Sequence, residues 1–176
     1  MTRSQMKKFL QSLNSDEASQ VLKTLLDDSP ELIKKTYSIA MKAVGDVDAD
    51  TIMDEVYYEL NALDVDDLYS HSGRTRHGYV DTHDKAWEMF EEALSSFMYE
   101  MEKYQKRSLP VAAKLYCIGI IKGLWKYEEE SNSDFKDWVP DAAGDYVSTV
   151  LEDWKKGKPS DEDVAEVMSI VEDGPS

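Results

Sequence analysis

A run near the middle of the chain, SLPVAAKLYCIGIIKGLWKYEEES (residues 108–131), restricts the possible folds more than any other segment. Its apolar residues cover nearly the whole circumference of a helix, and Lys114, Lys122 and Lys126 fall on one face. A helix of this kind must be surrounded by other elements on most sides. Gly119 and Gly123, four residues apart, leave a smooth patch that another helix can approach closely. We therefore predict a central helix whose lysines meet water or acidic neighbouring helices.

The rest of the chain also shows the spacing of apolar residues that is typical of helices, and no reliable strand pattern. We predict an all-α fold, an irregular multi-helix bundle that can include an array-like succession of helical hairpins. The central helix is expected to begin at a Ser108 cap. The predicted organisation is a single domain, 1–176, with short N-terminal helices in 1–45, a main helical body in 48–157, one long ordered loop at about 64–82, and a C-terminal helix in 160–173.

Composition limits the classes of partner. The chain has 176 residues with 36 acidic against 20 basic side chains, a formal net charge of -16. Such a surface repels phosphate backbones at long range, so we expect no direct binding of nucleic acid and favour partners with basic patches. The single cysteine, Cys117, lies in an apolar run, which predicts a small buried side chain and excludes a disulfide within the chain.

The sequence shows no targeting or membrane segment. The N-terminus lacks the apolar core of a signal peptide, and no stretch approaches the roughly 20 apolar residues that a membrane span needs. We therefore predict a cytoplasmic protein that does not enter membranes. Aromatic residues make up 10% of the chain, enough for one exposed patch to serve a homodimer.

Residues 70–84, SHSGRTRHGYVDTHD, hold all three histidines and two of the four arginines. The structural interpretation is that tyrosines anchor this connection to the core while Arg74 and Arg76 pair with acidic helices. Long connections without secondary structure are uncommon unless they are functional or well anchored. The functional interpretation is therefore a binding surface, whose candidate residues are Tyr69, His71, Arg74, Arg76, His77 and Tyr79.

Metal binding and acid–base catalysis by residues 64–84 are the alternatives within this loop. His71, His77 and His83 would be the metal ligands, but their six-residue spacing fits neither one helix face nor a short chelating turn. A histidine acting with a nearby aspartate would still need a nucleophile or an activated water, and no serine or cysteine motif supplies one. We therefore expect no catalysis and no cofactor.

A second acidic segment, GDVDADTIMDEVYY, begins like a calcium-binding loop, with Asp46, Asp48 and Asp50 in alternation. The loop then requires glycine at its sixth position and glutamate at its twelfth, where this chain has Thr51 and Tyr57. We predict a solvated turn and a helix cap instead.

Two stretches, ALDVDDLYSHSGRTRHGYVDTHDKAWEMFEEAL and AAKLYCIGIIKGLWKYEEESNSDFKDWVPDA, resemble the helical region that accompanies SWIM-type zinc fingers in microbial proteins of unknown function. The resemblance covers roughly residues 48–155. It implies a helical companion module, either free-standing or part of a larger protein, but the Cys-x-Cys…Cys-x-His ligand pattern of the finger is absent here. Its motif positions, without assigned roles, are Asp67, Ser72, Gly73, Arg74, Arg76, Gly78 and Tyr79.

The leading hypothesis from the sequence is a helical module that binds another protein and has no catalysis of its own. Recognition would use the 64–84 segment, with its arginines and tyrosines as anchors. A metal-binding or acid–base enzyme using the same segment is the first alternative. An acidic mimic of nucleic acid is the second, and its binding would weaken with moderate salt and follow total charge.

Overall fold

The computed structural model describes residues 2–75 and 78–174, and this part of the chain is helical as predicted, apart from one small hairpin. The α-helices are α1 (Arg3–Gln11), α2 (Ser15–Asp28), α3 (Pro30–Val44), α4 (Ala49–Asn61), α5 (Val65–His71), α6 (Thr82–Lys106), α7 (Pro110–Glu130), α8 (Ala142–Lys155) and α9 (Asp161–Glu172). Strands β1 (Gly73–Thr75) and β2 (Gly78–Val80) pair between α5 and α6, and a 3₁₀ helix (Asp134–Trp138) lies between α7 and α8. None of the described helices is long and apolar enough to cross a bilayer.

Residue contacts divide the chain into two compact units, an N-terminal unit (Met1–Gly45) and a C-terminal unit (Asp46–Ser176). The boundary falls between the predicted short N-terminal helices and the predicted main body. The C-terminal helix, α9, belongs to the same unit as that body.

In the N-terminal unit, local hydrogen bonds define where helices begin. Thr2 and Gln5 form a reciprocal capping box at the start of α1, and Asn14 and Glu17 form another at the start of α2. Helix α3 begins with Pro30 at a position where its missing N–H is tolerated. None of these helices has a buried residue among those whose burial is described.

In the C-terminal unit, α7 is the central helix, as predicted: it packs against α4, α6, α8 and α9. The prediction for its glycines is confirmed as well. A Cβ built on Gly119 would lie 2.6 Å from Ile52 Cβ, and one on Gly123 would lie 2.6 Å from Val56 Cβ. Only glycine therefore allows α4 to lie this close to α7.

The lysines of α7 meet acidic side chains of neighbouring helices. Lys122 Nζ lies 3.0 Å from Asp50 Oδ1 and Lys126 Nζ lies 2.7 Å from Asp54 Oδ1, both on α4. Lys114 Nζ is 2.7 Å from a carboxylate oxygen of Asp163, on α9. The polar face of α7 thus forms ion pairs with two neighbouring helices, α4 and α9.

Two local predictions are wrong. Ser108 does not cap α7: it has a left-handed φ of 57°, and the cap position is Leu109, which makes no side-chain capping bond. Pro110 then begins the helix at a position that proline favours. The segment predicted to be a long ordered loop at 64–82 instead contains α5, β1 and β2.

The segment between α7 and α8 is anchored to the core by its apolar residues. Phe135 is fully buried and Val139 is buried, while Trp138 is half-buried against the core. Ser133 caps the 3₁₀ helix by accepting a hydrogen bond from the Phe135 N–H. This segment supplies one side of the candidate site.

Candidate functional site

The candidate site is the surface formed by α5, β1, β2 and the first turn of α6, which we call the α5–hairpin surface. Asp64 caps α5 by accepting a 2.7 Å hydrogen bond from the Asp66 N–H. Leu68, the one buried residue of α5, is fully buried and fixes the helix to the core. Asp81 caps α6 by accepting hydrogen bonds from the N–H groups of His83 and Asp84, so both ends of the segment are held.

The hairpin is antiparallel, with Gly73 opposite Val80, Arg74 opposite Tyr79 and Thr75 opposite Gly78. Gly73 has φ of 79° and Gly78 has φ of 131°, backbone conformations that residues other than glycine rarely adopt. Glycine at these two positions therefore allows a hairpin where the sequence shows no alternating pattern. Because paired residues share a face of the hairpin, the side chains of Arg74 and Tyr79 are neighbours across the strands.

These two neighbours are exposed. Tyr79 is 75% exposed, and Arg74 is exposed and makes no ion pair with any residue in 2–75 or 78–174. The expected pairing of Arg74 with acidic helices, and of Tyr79 with the core, is therefore wrong. Arg76 and His77, the other predicted site residues of the hairpin, lie outside the described residues.

Tyr69 is held differently from Tyr79. Its ring meets the Trp138 ring edge-on, with centroids 5.5 Å apart and an interplanar angle of 85°, yet the residue stays 53% exposed. His83 lies on the same indole, with ring centroids 5.2 Å apart. The Trp138 side chain thus connects the end of α5 to the start of α6 and restricts the rotamer of Tyr69.

Each of the two described histidines forms a hydrogen bond with a backbone carbonyl oxygen. His71 Nδ1 donates to the Asp67 carbonyl oxygen at 2.8 Å, one turn earlier on the same helix. His83 Nδ1 donates to the Trp138 carbonyl oxygen at 3.1 Å. In residues 2–75 and 78–174, no group of three or more His, Cys, Asp or Glu side chains is arranged to hold a metal ion. The metal alternative requires His77, which lies outside that part of the chain.

Other chemistry-bearing side chains are deep in the core. Cys117 is fully buried, and burial raises the pKa of its thiol to about 12, so it is protonated at neutral pH. Tyr127 is also buried, its hydroxyl has no partner in the described structure, and burial raises its pKa to about 12.

Asp48 caps α4 through the Thr51 N–H, as the broken calcium motif predicts, and the Thr51 hydroxyl and N–H lower its pKa.

A cavity of about 350 Å³ lies between the loops that precede α7 and α9, lined by Gln105, Ser108, Trp154 and Lys158 among others. Gln105 Nε2 donates to the carbonyl oxygens of Asp153 and Trp154 there, at 3.1 and 2.9 Å. These bonds close the end of α8 and leave the amide nitrogen engaged. No residue of the α5–hairpin surface lines this cavity.

The N-terminal unit is a further candidate region, in addition to the predicted site residues. Large apolar side chains on all three of its helices are exposed, including Phe9, Leu25 and Tyr37. The signal was present in the distribution of charge: residues 1–45 hold seven basic and five acidic residues, a net +2, whereas residues 46–176 hold 13 and 31, a net -18. Counting charge for each predicted segment would have separated the two.

No protein-family model matches this chain, and neither a curated protein nor a solved structure is significantly similar to it. The resemblance to the helical companions of SWIM-type zinc fingers therefore stays a prediction.

Proposed function

We propose that this chain is a protein-binding module that recognises its partner through the α5–hairpin surface and carries out no catalysis there. The observation that supports the proposal is the grouping of Tyr69, Arg74 and Tyr79, all exposed, on one anchored supersecondary element. Tyrosine and arginine are the residue types most enriched among those that dominate binding energy. Elsewhere in the described chain, the basic side chains of α7 are engaged by carboxylates.

The way the surface is anchored favours binding. A side chain that is already restricted loses less conformational entropy when a partner covers it. Tyr69 is restricted by the edge-on contact with Trp138, and α5 is fixed by the buried Leu68. Tyr79 is fixed at its backbone by pairing with Arg74.

Charge around the surface suggests the chemistry of the partner. Arg74 is an exposed cation, and the caps Asp64 and Asp81 with Asp66 and Asp84 place carboxylates at both ends of the segment. A fitting partner offers an apolar or aromatic recess for the tyrosines, a carboxylate for Arg74 and basic groups around it. We place this interaction in the cytoplasm, because a chain with one cysteine cannot form the internal disulfides that are common in secreted domains.

The test is affinity capture from cytoplasmic extract with the immobilised chain, followed by measurement of the affinity for each purified candidate. Arg74→Glu and Tyr79→Ser are each expected to lower the affinity for a true partner by about tenfold or more, since both remove central anchors. Tyr99→Ser is the matched control, because Tyr99 is 64% exposed on α6 and lies outside the surface. The proposal would be contradicted if Tyr99→Ser lowered the affinity as much as the surface variants do. It would also be contradicted if neither Arg74→Glu nor Tyr79→Ser lowered the affinity.

A further inference from the structure

The N-terminal unit presents apolar stripes that are exposed on all three helices. Among the residues of the unit whose burial is described, nine large apolar side chains are between 38% and 60% exposed, including Met6 and Phe9 on α1, Leu22 and Leu25 on α2, and Ile33 on α3. On α1 and α2 these residues recur at helical spacing and form one face, and on α3 Ile33 and Tyr37 share a face, whereas Ile39 lies on the other side of that helix. Helices α2 and α3 contact each other, but no residue of the three helices whose burial is described is buried, in contrast to the packed faces of the C-terminal unit.

Helices of this size need such packing. The three helices have 9, 14 and 15 residues, and isolated helices shorter than about 12–15 residues are only marginally stable in water. Their two capping boxes define where α1 and α2 start but bury no apolar surface. The unit therefore carries three amphipathic helices that gain their stability from an apolar surface placed against the stripes.

We infer that the apolar surface that covers the stripes is the N-terminal unit of another copy of this chain. The N-terminal unit is then a homodimerisation element. The eight of these side chains that lie on the stripes, all except Ile39, offer roughly 800 Å² of apolar surface at about half exposure, which is close to the area each partner contributes to a standard stable interface. Two copies bury matching stripes because the same residues meet around a two-fold axis.

The charges of the helices favour this pairing. Helix α1 carries three basic residues and no acidic one, a net +3; α2 carries four acidic residues and one basic, a net -3. When α1 of one copy lies beside α2 of the other, opposite charges border the apolar stripes on both sides of the axis. The unit's net charge of +2 also makes it the part of the chain where two copies repel each other least, since the remainder carries -18.

The first experiment is sedimentation velocity on the full chain over about 1–100 µM, a range that reveals weak and moderate self-association. The expected mass is twice the 20.1 kDa of one chain. Leu22→Asp/Leu25→Asp is expected to give the monomer. The matched control is Tyr99→Asp/Val111→Asp, which adds the same charge at two exposed residues of the C-terminal unit and is expected to leave the dimer intact.

A second pair of variants separates lost pairing from lost helix structure. Lys7→Glu/Lys8→Glu makes α1 acidic and is expected to weaken the dimer at least about tenfold by placing like charges beside α2. Adding Asp16→Lys/Asp27→Lys to the same chain makes α2 basic and is expected to restore the dimer. Damage to the helices could not be repaired in this way.

Three outcomes would overturn the inference: a monomer across the whole concentration range, a dimer that Leu22→Asp/Leu25→Asp leaves unchanged, or a failure of the second charge change to restore association. Vesicles of phosphatidylcholine with phosphatidylserine test another occupant. A chain that stays monomeric and binds them through the same stripes would assign the unit to a lipid surface instead.

Discussion

The close contact between α4 and α7 predicts that adding a single methyl group at Gly119 or Gly123 destabilises the C-terminal unit. A Cβ at Gly119 would lie 2.6 Å from Ile52 Cβ and 2.9 Å from the Ala49 carbonyl oxygen. Carbon atoms prefer about 3.5–4.0 Å, so the two helices would have to separate by about 1 Å. Backbone oxygens cannot turn away as a flexible side chain can.

The magnitude follows from two opposing terms. Overpacking of a core typically costs about 1–3 kcal/mol, whereas replacing glycine by alanine inside a helix contributes up to about 1 kcal/mol of stability. The cost of overpacking is larger than the gain in helix propensity, so we expect Gly119→Ala and Gly123→Ala each to lower the free energy of unfolding by about 1–2 kcal/mol. For a chain of this size the corresponding fall in Tm is about 2–8 °C.

Gly144, on α8, provides the matched control. The nearest atom to a Cβ built there is Trp125 Cζ3, at 4.0 Å, so Gly144→Ala is expected to raise Tm slightly through helix propensity alone. Near-ultraviolet circular dichroism is the suitable assay, because all four tryptophans lie in residues 46–176. The reasoning fails if Gly119→Ala melts at or above the wild type, or if all three variants shift Tm equally.

Three other predictions concern single side chains. Lys114→Met is expected to lower Tm more than Lys106→Met, since Lys114 bridges α7 to α9 and Lys106 is exposed. The Lys114 ammonium lowers the pKa of Asp163, so this ion pair stabilises the fold at pH values above the ordinary Asp pKa of 3.8. The Tm difference between wild type and Lys114→Met should therefore shrink as the pH falls below 3.8. A difference that stays constant with pH would refute the assignment. Cys117 should resist a thiol reagent at about pH 8 in the folded protein and react once it is unfolded, and rapid labelling of folded protein would contradict its burial. Arg74→Ala should change the free energy of unfolding by less than about 0.5 kcal/mol in chemical denaturation, because this arginine is exposed and unpaired within the described chain; a larger loss would return it to a structural role.

The central part of the fold could be predicted from the sequence because α7 carries several independent signals. Its apolar circumference predicts a surrounded helix, the spacing of Gly119 and Gly123 predicts a close neighbour, and the lysine face predicts acidic partners. All three are confirmed. The identity of the neighbour, α4, does not follow from them, since every long helix of the chain has an apolar face.

The α5–hairpin segment could not be predicted, because its elements are too short to show a period. Each strand has three residues, and α5 has seven with one buried residue, Leu68. Gly73 and Gly78 indicate turns equally well, and their positive φ values are properties of the tertiary structure. The choice between tyrosines that anchor the segment and tyrosines that face solvent also depends on the direction of the strands.

The sequence therefore groups the candidate site residues in one segment but does not indicate the environment of each side chain. Tyr69 is both packed on Trp138 and half exposed, whereas Tyr79 is exposed. His71 binds the Asp67 carbonyl oxygen one turn earlier on its own helix, whereas His83 binds the Trp138 carbonyl oxygen, a contact that no spacing in the sequence indicates. Long-range contacts of this kind depend on where the 3₁₀ helix lies, 55 residues after His83.

The most direct test of partner binding at the α5–hairpin surface is photo-crosslinking in cells with p-benzoyl-phenylalanine in place of Tyr79. Our account predicts one dominant adduct with another protein, lost when Arg74→Glu is added, and absent when the photoreactive residue replaces Tyr99 instead. Both tyrosines are well exposed, at 75% and 64%, so general exposure cannot explain a difference. Equal adducts from the two positions, or an adduct at position 79 that Arg74→Glu leaves unchanged, would contradict the account.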